Sequence, residues 1–160
     1  MEFSPDGKLL LVANEAQNDI GVFDKTTGSH IRDIDLKPYG IRPRGVKVSP
    51  QGTGYAVTME ASGTLLTMDK NFNVLKSVAT ATKPYGLAFD RAGKRIFVSA
   101  AMARKLQVFS ADSLELLQNL PFLKRHEALE LRDKLFQHQL PTRSRWLATR
   151  LPGFAGGQPR

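Results

Sequence analysis

The sequence predicts an all-β chain assembled from repeated four-stranded antiparallel units, and three observations carry that prediction. Phe3–Asp24, Val48–Asp69 and Phe89–Ser110 align without gaps, and their starts lie 45 and then 41 residues apart. Gly7, Gly52 and Gly93 coincide in this alignment, as do Val12, Val57 and Val98. The aligned glycines close turns of the kind Ser-Pro-Asp-Gly, in which proline presets φ and glycine accepts φ > 0. Repetition on this scale identifies the architecture before any single motif does.

Each unit reads as four strands in order. A short first strand precedes the turn, Gly45–Val48 in the second unit and Gly86–Phe89 in the third. The second strand, at Leu9–Ala13, Tyr55–Thr58 and Ile96–Ser99, is rich in strand-forming residues. A third follows at Ile20–Asp24, Leu65–Asp69 and Leu106–Ser110. The fourth is less regular, at Ile31–Leu36 and Val74–Ala79; its last copy, Leu114–Leu120, is leucine-rich and also reads as the start of a helix.

Four strands every 41–45 residues is the period of a β-propeller blade. A small β-sandwich with short strands is the competing architecture, and the turn recurring at constant spacing argues against it. The residues SPDGK-LLLVAN, then VFD-TTG, then KPYG ahead of the next strand resemble the YVTN-type propeller repeat, a bacterial and archaeal relative of WD-repeat proteins. The resemblance covers about residues 2–121 and is loosest in the third unit, where Asp90-Arg91-Ala92 stands for Ser-Pro-Asp. It implies a periplasmic or cell-surface location for the full-length protein.

Blades are expected at about 1–40, 41–84 and 85–121, fewer than three complete ones, with the first unit starting inside its inner strand. A closed propeller has four to eight. The sequence therefore predicts a partial propeller, either part of a longer chain or one that associates with itself through open blade edges. Beyond Leu120 the repeat stops. Phe122, Leu129 and Phe136 recur every seven residues, which predicts an amphipathic helix over 122–141. The Arg-, Gly- and Pro-rich stretch 142–160 predicts disorder. So abrupt a change fits an appendage, or a truncated or frame-shifted reading.

Composition narrows the chemistry. The 160 residues include no cysteine, which excludes disulfides, thiolate metal sites and cysteine nucleophiles. No apolar run approaches the roughly 20 residues of a membrane span, and the N-terminus shows no secretory signal. The net charge of +8 invites a nucleic-acid reading. Residues 1–121 hold 15 basic and 12 acidic side chains, whereas 122–160 hold 8 and 3. The excess thus sits mainly outside the repeats, and nucleic acid is disfavoured as a partner.

The loops between second and third strands, and those leading into each next blade, should share one rim of the channel. Tyr39, Arg42, Arg44, Lys83, Tyr85, Arg104 and Lys105 fall there. Tyr39 reads as the Pro-Tyr-Gly of Tyr85 one blade earlier. A basic and aromatic rim suits a protein or small anionic ligand, because arginine gives paired hydrogen bonds and tyrosine a face and a hydroxyl. The plainer alternative is a structural lead-in with solvated cations. Asp24 and Asp69 recur after the third strand, as expected of turn-stabilising carboxylates. His30, His126 and His138 lack the spacing of a helical metal pair. No Walker loop, nucleophile elbow or dinucleotide fingerprint occurs, and no catalytic residues, metal or cofactor are expected. The resulting expectation is a non-catalytic binding scaffold. The resemblance also admits part of a lactonase, quinoprotein or haem-binding propeller.

Overall fold

The computed structural model describes residues 1–122, and the helix and disorder expected beyond them lie outside the described residues. The described part is all-β. Three four-stranded antiparallel sheets follow one another along the chain: β1–β4 (Glu2–Phe3, Leu9–Asn14, Asp19–Asp24, His30–Asp35), β5–β8 (Pro43–Val48, Gly54–Met59, Thr64–Asp69, Val74–Ala79) and β9–β12 (Pro84–Phe89, Arg95–Ala100, Lys105–Ser110, Leu116–Pro121). Each sheet is a meander in which every strand pairs with its sequence neighbour. These are the three blades. The leucine-rich Leu114–Leu120 stretch is not helical. Leu116–Pro121 pairs along β11, because the fourth position of a blade offers a free ladder that outweighs the local helix preference of leucine.

The blades stack face to face. Leu11 and Ile20 of blade 1 pack with Tyr55, Val57, Met59, Leu66 and Met68 of blade 2. Ala56 and Leu65 on the opposite face of blade 2 pack with Leu87, Ile96, Val98 and Phe109 of blade 3. Strand β6 is accordingly buried along its whole length, which is why it reads GYAVTM without polar alternation. Its threonine hydroxyl makes two hydrogen bonds. Thr58 Oγ1 accepts the Gly45 N–H at 3.0 Å and donates to the Tyr85 carbonyl at 2.8 Å, tying blade 2 to blade 3.

The first turn of each blade uses one device with changing residues. Ser4 Oγ accepts the Leu9 N–H at 2.9 Å, and Ser49 Oγ accepts the Thr53 N–H at 3.0 Å. In blade 3 the Asp90 carboxylate accepts the N–H groups of Lys94 and Arg95 at 2.8 and 3.2 Å. The departure from Ser-Pro-Asp in the third repeat therefore preserves the acceptor that closes the turn. Asp24 similarly accepts the N–H groups of Thr26 and Thr27, and Asp69 those of Asn71 and Asn73. Hydrogen bonds, the largest of them from Thr27 and Asn73 respectively, hold both carboxyls below their ordinary range.

Left-handed backbone also repeats. Gly7, Gly52 and Gly93 share one position; Asn18, Gly63 and Arg104 share another, at the second hairpin. There the carbonyls of Asn18, Gly63 and Arg104 accept the N–H groups of Leu36, Thr80 and Phe122 at 3.0, 2.8 and 2.8 Å. Glycine meets this demand without strain, and arginine does not.

Two outcomes follow. Arg104→Gly should raise stability by about 0.5–1 kcal/mol, and Arg104→Val should lower it, both read from denaturant midpoints. Because the carboxyls of Asp24 and Asp69 titrate lower folded than unfolded, their contribution is full above the unfolded pKa of about 3.9 and disappears as pH falls through the folded values. Asp24→Ala combined with Asp69→Ala should lower the denaturation midpoint at pH 7 and leave a shallower acid limb; an unchanged limb would refute the assignment.

Candidate functional site

The inner strands β5 and β9 begin with the same irregularity. Pro43 pairs with Met59 and Gly45 with Thr58, so Arg44 is an extra residue opposite no partner. Pro84 pairs with Ala100 and Leu87 with Val98, leaving Tyr85 and Gly86 against Ser99 alone. Each is a β-bulge, a feature that bends the strand and re-aims a side chain. Proline fits the first position, having no N–H to leave unpaired. Glycine fits the third because the blades approach closely there. A Cβ on Gly45 would lie 2.7 Å from Leu87 Cδ2 and 3.0 Å from the Tyr85 carbonyl oxygen.

Arg44 and Tyr85 thus occupy the same blade position, and they meet. The Arg44 guanidinium carbon lies 4.1 Å from the Tyr85 ring centroid, and Nη2 donates to the Tyr85 hydroxyl. Nη1 donates to Glu15 Oε1 in blade 1, and Nε lies 3.9 Å from Glu60 Oε2 in blade 2. One guanidinium therefore touches all three blades. Its charged form is favoured first by the bond to Tyr85 and then by Glu15, against the opposing effect of burial. Arg42 Nε stands 3.8 Å from the same Glu15. Arg44 and Tyr85 line an open cleft of about 430 Å³ with Met1, Glu15 and Lys47; Lys47 pairs with Glu2 at 2.9 Å.

Of the residues expected at this rim, the structure brings together Arg42, Arg44 and Tyr85. Lys83, with φ of 56°, precedes Pro84 and is exposed; Arg104 and Lys105 are exposed at the β10–β11 turn. Tyr39 requires a correction. Its Pro-Tyr-Gly is not the earlier copy of Pro84-Tyr85-Gly86, whose counterpart is Pro43-Arg44-Gly45. The link containing Tyr39 holds the extra residues of the 45-residue spacing, where Tyr39 N–H and Gly40 N–H close a turn onto the Leu36 carbonyl at 2.9 and 3.1 Å. Motif identity was misleading because strand pairing, not the tripeptide, defines the position.

Sequence reasoning placed the loops holding Glu15 and Glu60 on this rim without singling the two carboxylates out. They are repeat equivalents, each the first residue after the second strand, and Ala101 takes their place in blade 3. That recurrence opposite the arginine-bearing lead-in was the available signal. With them the rim is an ion-pair network, less basic than its arginines alone suggest. His30 opens β4, bonds Asp33 at 2.8 Å and meets the Phe23 ring edge-on at 5.2 Å; His126 and His138 lie outside the described residues. Among the described residues no helix is long and apolar enough to cross a membrane.

No protein-family model and no curated protein matches the chain. Solved structures do. Hydrazine synthase of Kuenenia stuttgartiensis is 21% identical over 74% of this chain and 34% of its own, with a TM-score of 0.65. Dihydro-heme d1 dehydrogenase NirN in complex with DHE is 20% identical over 75% of this chain and 25% of its own, with a TM-score of 0.61. The RRP9 WD40 repeats are 18% identical over 74% of this chain and 37% of theirs, with a TM-score of 0.65. The chain thus spans between a quarter and just over a third of these neighbours. The likeness establishes the β-propeller fold; enzymes and repeat scaffolds both carry it, so activity does not follow.

The network makes a specific energetic claim. In double-mutant cycles, Arg44→Ala with Glu15→Ala should show coupling that fades as salt approaches about 1 M, where screening extends to about 3 Å. Coupling of Arg44→Ala with Tyr85→Ala should persist, because stacking is screened far less. Arg44→Lys should recover little of either, since lysine cannot stack and fork together.

Proposed function

We propose that this chain is a non-catalytic β-propeller scaffold that binds a protein or small anionic ligand at the rim bearing Arg42, Arg44 and Tyr85. The carrying observation is that two equivalent bulges deliver an arginine and a tyrosine to one cleft, where they stack. A guanidinium held face-on to an aromatic ring and flanked by a second arginine is positioned to receive a carboxylate or phosphate oxygen. The same guanidinium already serves Glu15, so an incoming anion competes with an internal carboxylate. Binding is then weak for a lone anion and stronger for a partner that adds contacts along the exposed Tyr85 ring. We read the repeat as YVTN-like and the full-length protein as periplasmic or cell-surface, on the resemblance of SPDGK-LLLVAN and its successors. Self-association through uncovered blade faces belongs to the same scaffold reading.

Titrating the full chain with inorganic phosphate and with citrate, followed by nuclear magnetic resonance at the Arg44 and Tyr85 signals, tests the proposal. Saturable shifts are expected, with the dissociation constant about tenfold weaker in Arg44→Ala, equivalent to about 1.4 kcal/mol. Glu15→Gln should bind more tightly, since it removes the competing carboxylate. Anion titrations that move neither signal, or an Arg44→Ala variant that binds as the parent does, would reject the rim as the site.

A further inference from the structure

The two internal blade junctions are built to one plan and filled differently. At the first, Leu9 and Leu11 of blade 1 pack toward blade 2, and Val22 shares their face because it pairs with Leu11. Opposite them in blade 2, Tyr55 and Phe72 stack with ring centroids 5.2 Å apart. Arg32, paired with Val22, crosses the seam and sets its guanidinium carbon 5.1 Å from the Phe72 centroid. Large side chains from both blades occupy this junction.

At the second junction the equivalent positions are smaller on both sides. Gly54, Ala56 and Thr67 stand for Leu9, Leu11 and Val22, and Ala56 pairs with Thr67 as Leu11 does with Val22. Across the seam Ile96 and Leu114 stand for Tyr55 and Phe72, the last two sharing a left-handed φ. Lys76, paired with Thr67 as Arg32 is with Val22, crosses to the Asp112 carbonyl at 2.5 Å. What remains is a cleft of about 550 Å³ between blades 2 and 3, at the opposite end of the strands from Arg44 and Tyr85. That volume lies within the roughly 300–1,000 Å³ of small-molecule sites. Gly54 is held by its own sheet, since a Cβ there would strike the Met68 carbonyl oxygen. Thr67 is therefore the position at which the hollow can be refilled.

The walls of this cleft divide by chemistry. Leu75, Phe89 and Ala111 supply apolar surface, and Leu75 is 62% exposed. Thr67 adds a hydroxyl, and Lys76 and Lys94 bring two ammonium groups against the one carboxylate of Asp112. Neither lysine forms an ion pair among the described residues. Two ammonium groups and one carboxylate leave a single positive charge, which a monoanion balances. Gln51 Nε2 donates to the Ala92 carbonyl across the seam and ties the flanking turns together. We propose that the seam between blades 2 and 3 binds a small amphipathic carboxylate, its hydrocarbon against Phe89 and Leu75 and its carboxylate at Lys76 and Lys94. The site is separate from the Arg44 cleft and independent of anion binding there.

The full chain is titrated separately with octanoate, octan-1-ol and acetate, followed by nuclear magnetic resonance at the Leu75, Thr67 and Ala111 methyl groups and the Phe89 ring. Saturable shifts are expected with octanoate, and octanol and acetate should each bind at least about tenfold more weakly. Lys76→Gln combined with Lys94→Gln should weaken octanoate about tenfold and leave octanol unchanged. Both lysines are exposed, so the double variant keeps the fold. Thr67→Leu refills the seam and should abolish octanoate binding, with circular dichroism to check that its strands persist. Octanoate that moves none of these signals overturns the inference, as does octanol that binds as tightly as octanoate. So does a folded Thr67→Leu variant that binds as the parent does. A lysine double variant with parental affinity overturns it whether or not Thr67→Leu folds. Shifts confined to Arg44 and Tyr85 would also overturn it, while leaving the rim reading intact.

Discussion

Burial of one sheet face against the next is the constraint on which everything else in this molecule depends. A four-stranded meander has two faces and only one hydrophobic effect to satisfy them, so a blade is stable only between neighbours. Blade 2 shows the requirement met: β6 is buried from Gly54 to Met59, with one face serving blade 1 and the other blade 3. The outer strands need no such cover. β12 is exposed along its length and β8 mostly so, because the fourth strand lies at the periphery of a wheel. Burial therefore falls away at the outermost strand, and the irregularity of the fourth strand in the sequence records that position.

How much of this was legible depended on whether a residue answered to the repeat or departed from it. Strands two and three were readable because burial on both faces gives them continuous apolar runs at fixed spacing. The turn of blade 3 looked degenerate as sequence, yet Asp90 performs the task of Ser4 and Ser49, since backbone N–H groups need an oxygen and not a serine. The helix preference of Leu114–Leu120 was real and was overridden by an available ladder. Tyr39 was misassigned for the opposite reason. It carries the tripeptide but sits in the link that makes the first spacing longer, a displacement visible only through pairing.

The rim was half legible. Lead-in residues were expected beside the loops joining second and third strands, where Glu60 N–H bonds the Arg42 carbonyl at 2.7 Å and Arg42 N–H reaches Asn18 Oδ1 at 2.7 Å. Their mutual arrangement was not, because it depends on two bulges that no propensity announces. Counting arginines predicted a basic surface. The structure instead balances Arg42 and Arg44 against Glu15 and Glu60, so the cleft is poised rather than charged.

Function in a repeat protein has to reside where the repeat is broken, since a residue demanded by the fold recurs in every blade. Ser4, Ser49 and Asp90 recur in role, as do the left-handed positions of Asn18, Gly63 and Arg104. At Arg104 the left-handed backbone answers to the repeat, whereas the arginine side chain does not. Arg44 and Tyr85 do the reverse: one structural position carries a cation in blade 2 and an aromatic ring in blade 3. Glu15 and Glu60 keep a carboxylate where blade 3 has Ala101. Fold demands neither difference, because the bulge needs only the flanking proline and glycine. The asymmetry concentrates a guanidinium, a ring and an acidic partner at one place on an otherwise periodic rim, and that concentration sets this cleft apart from an ordinary seam between two blades.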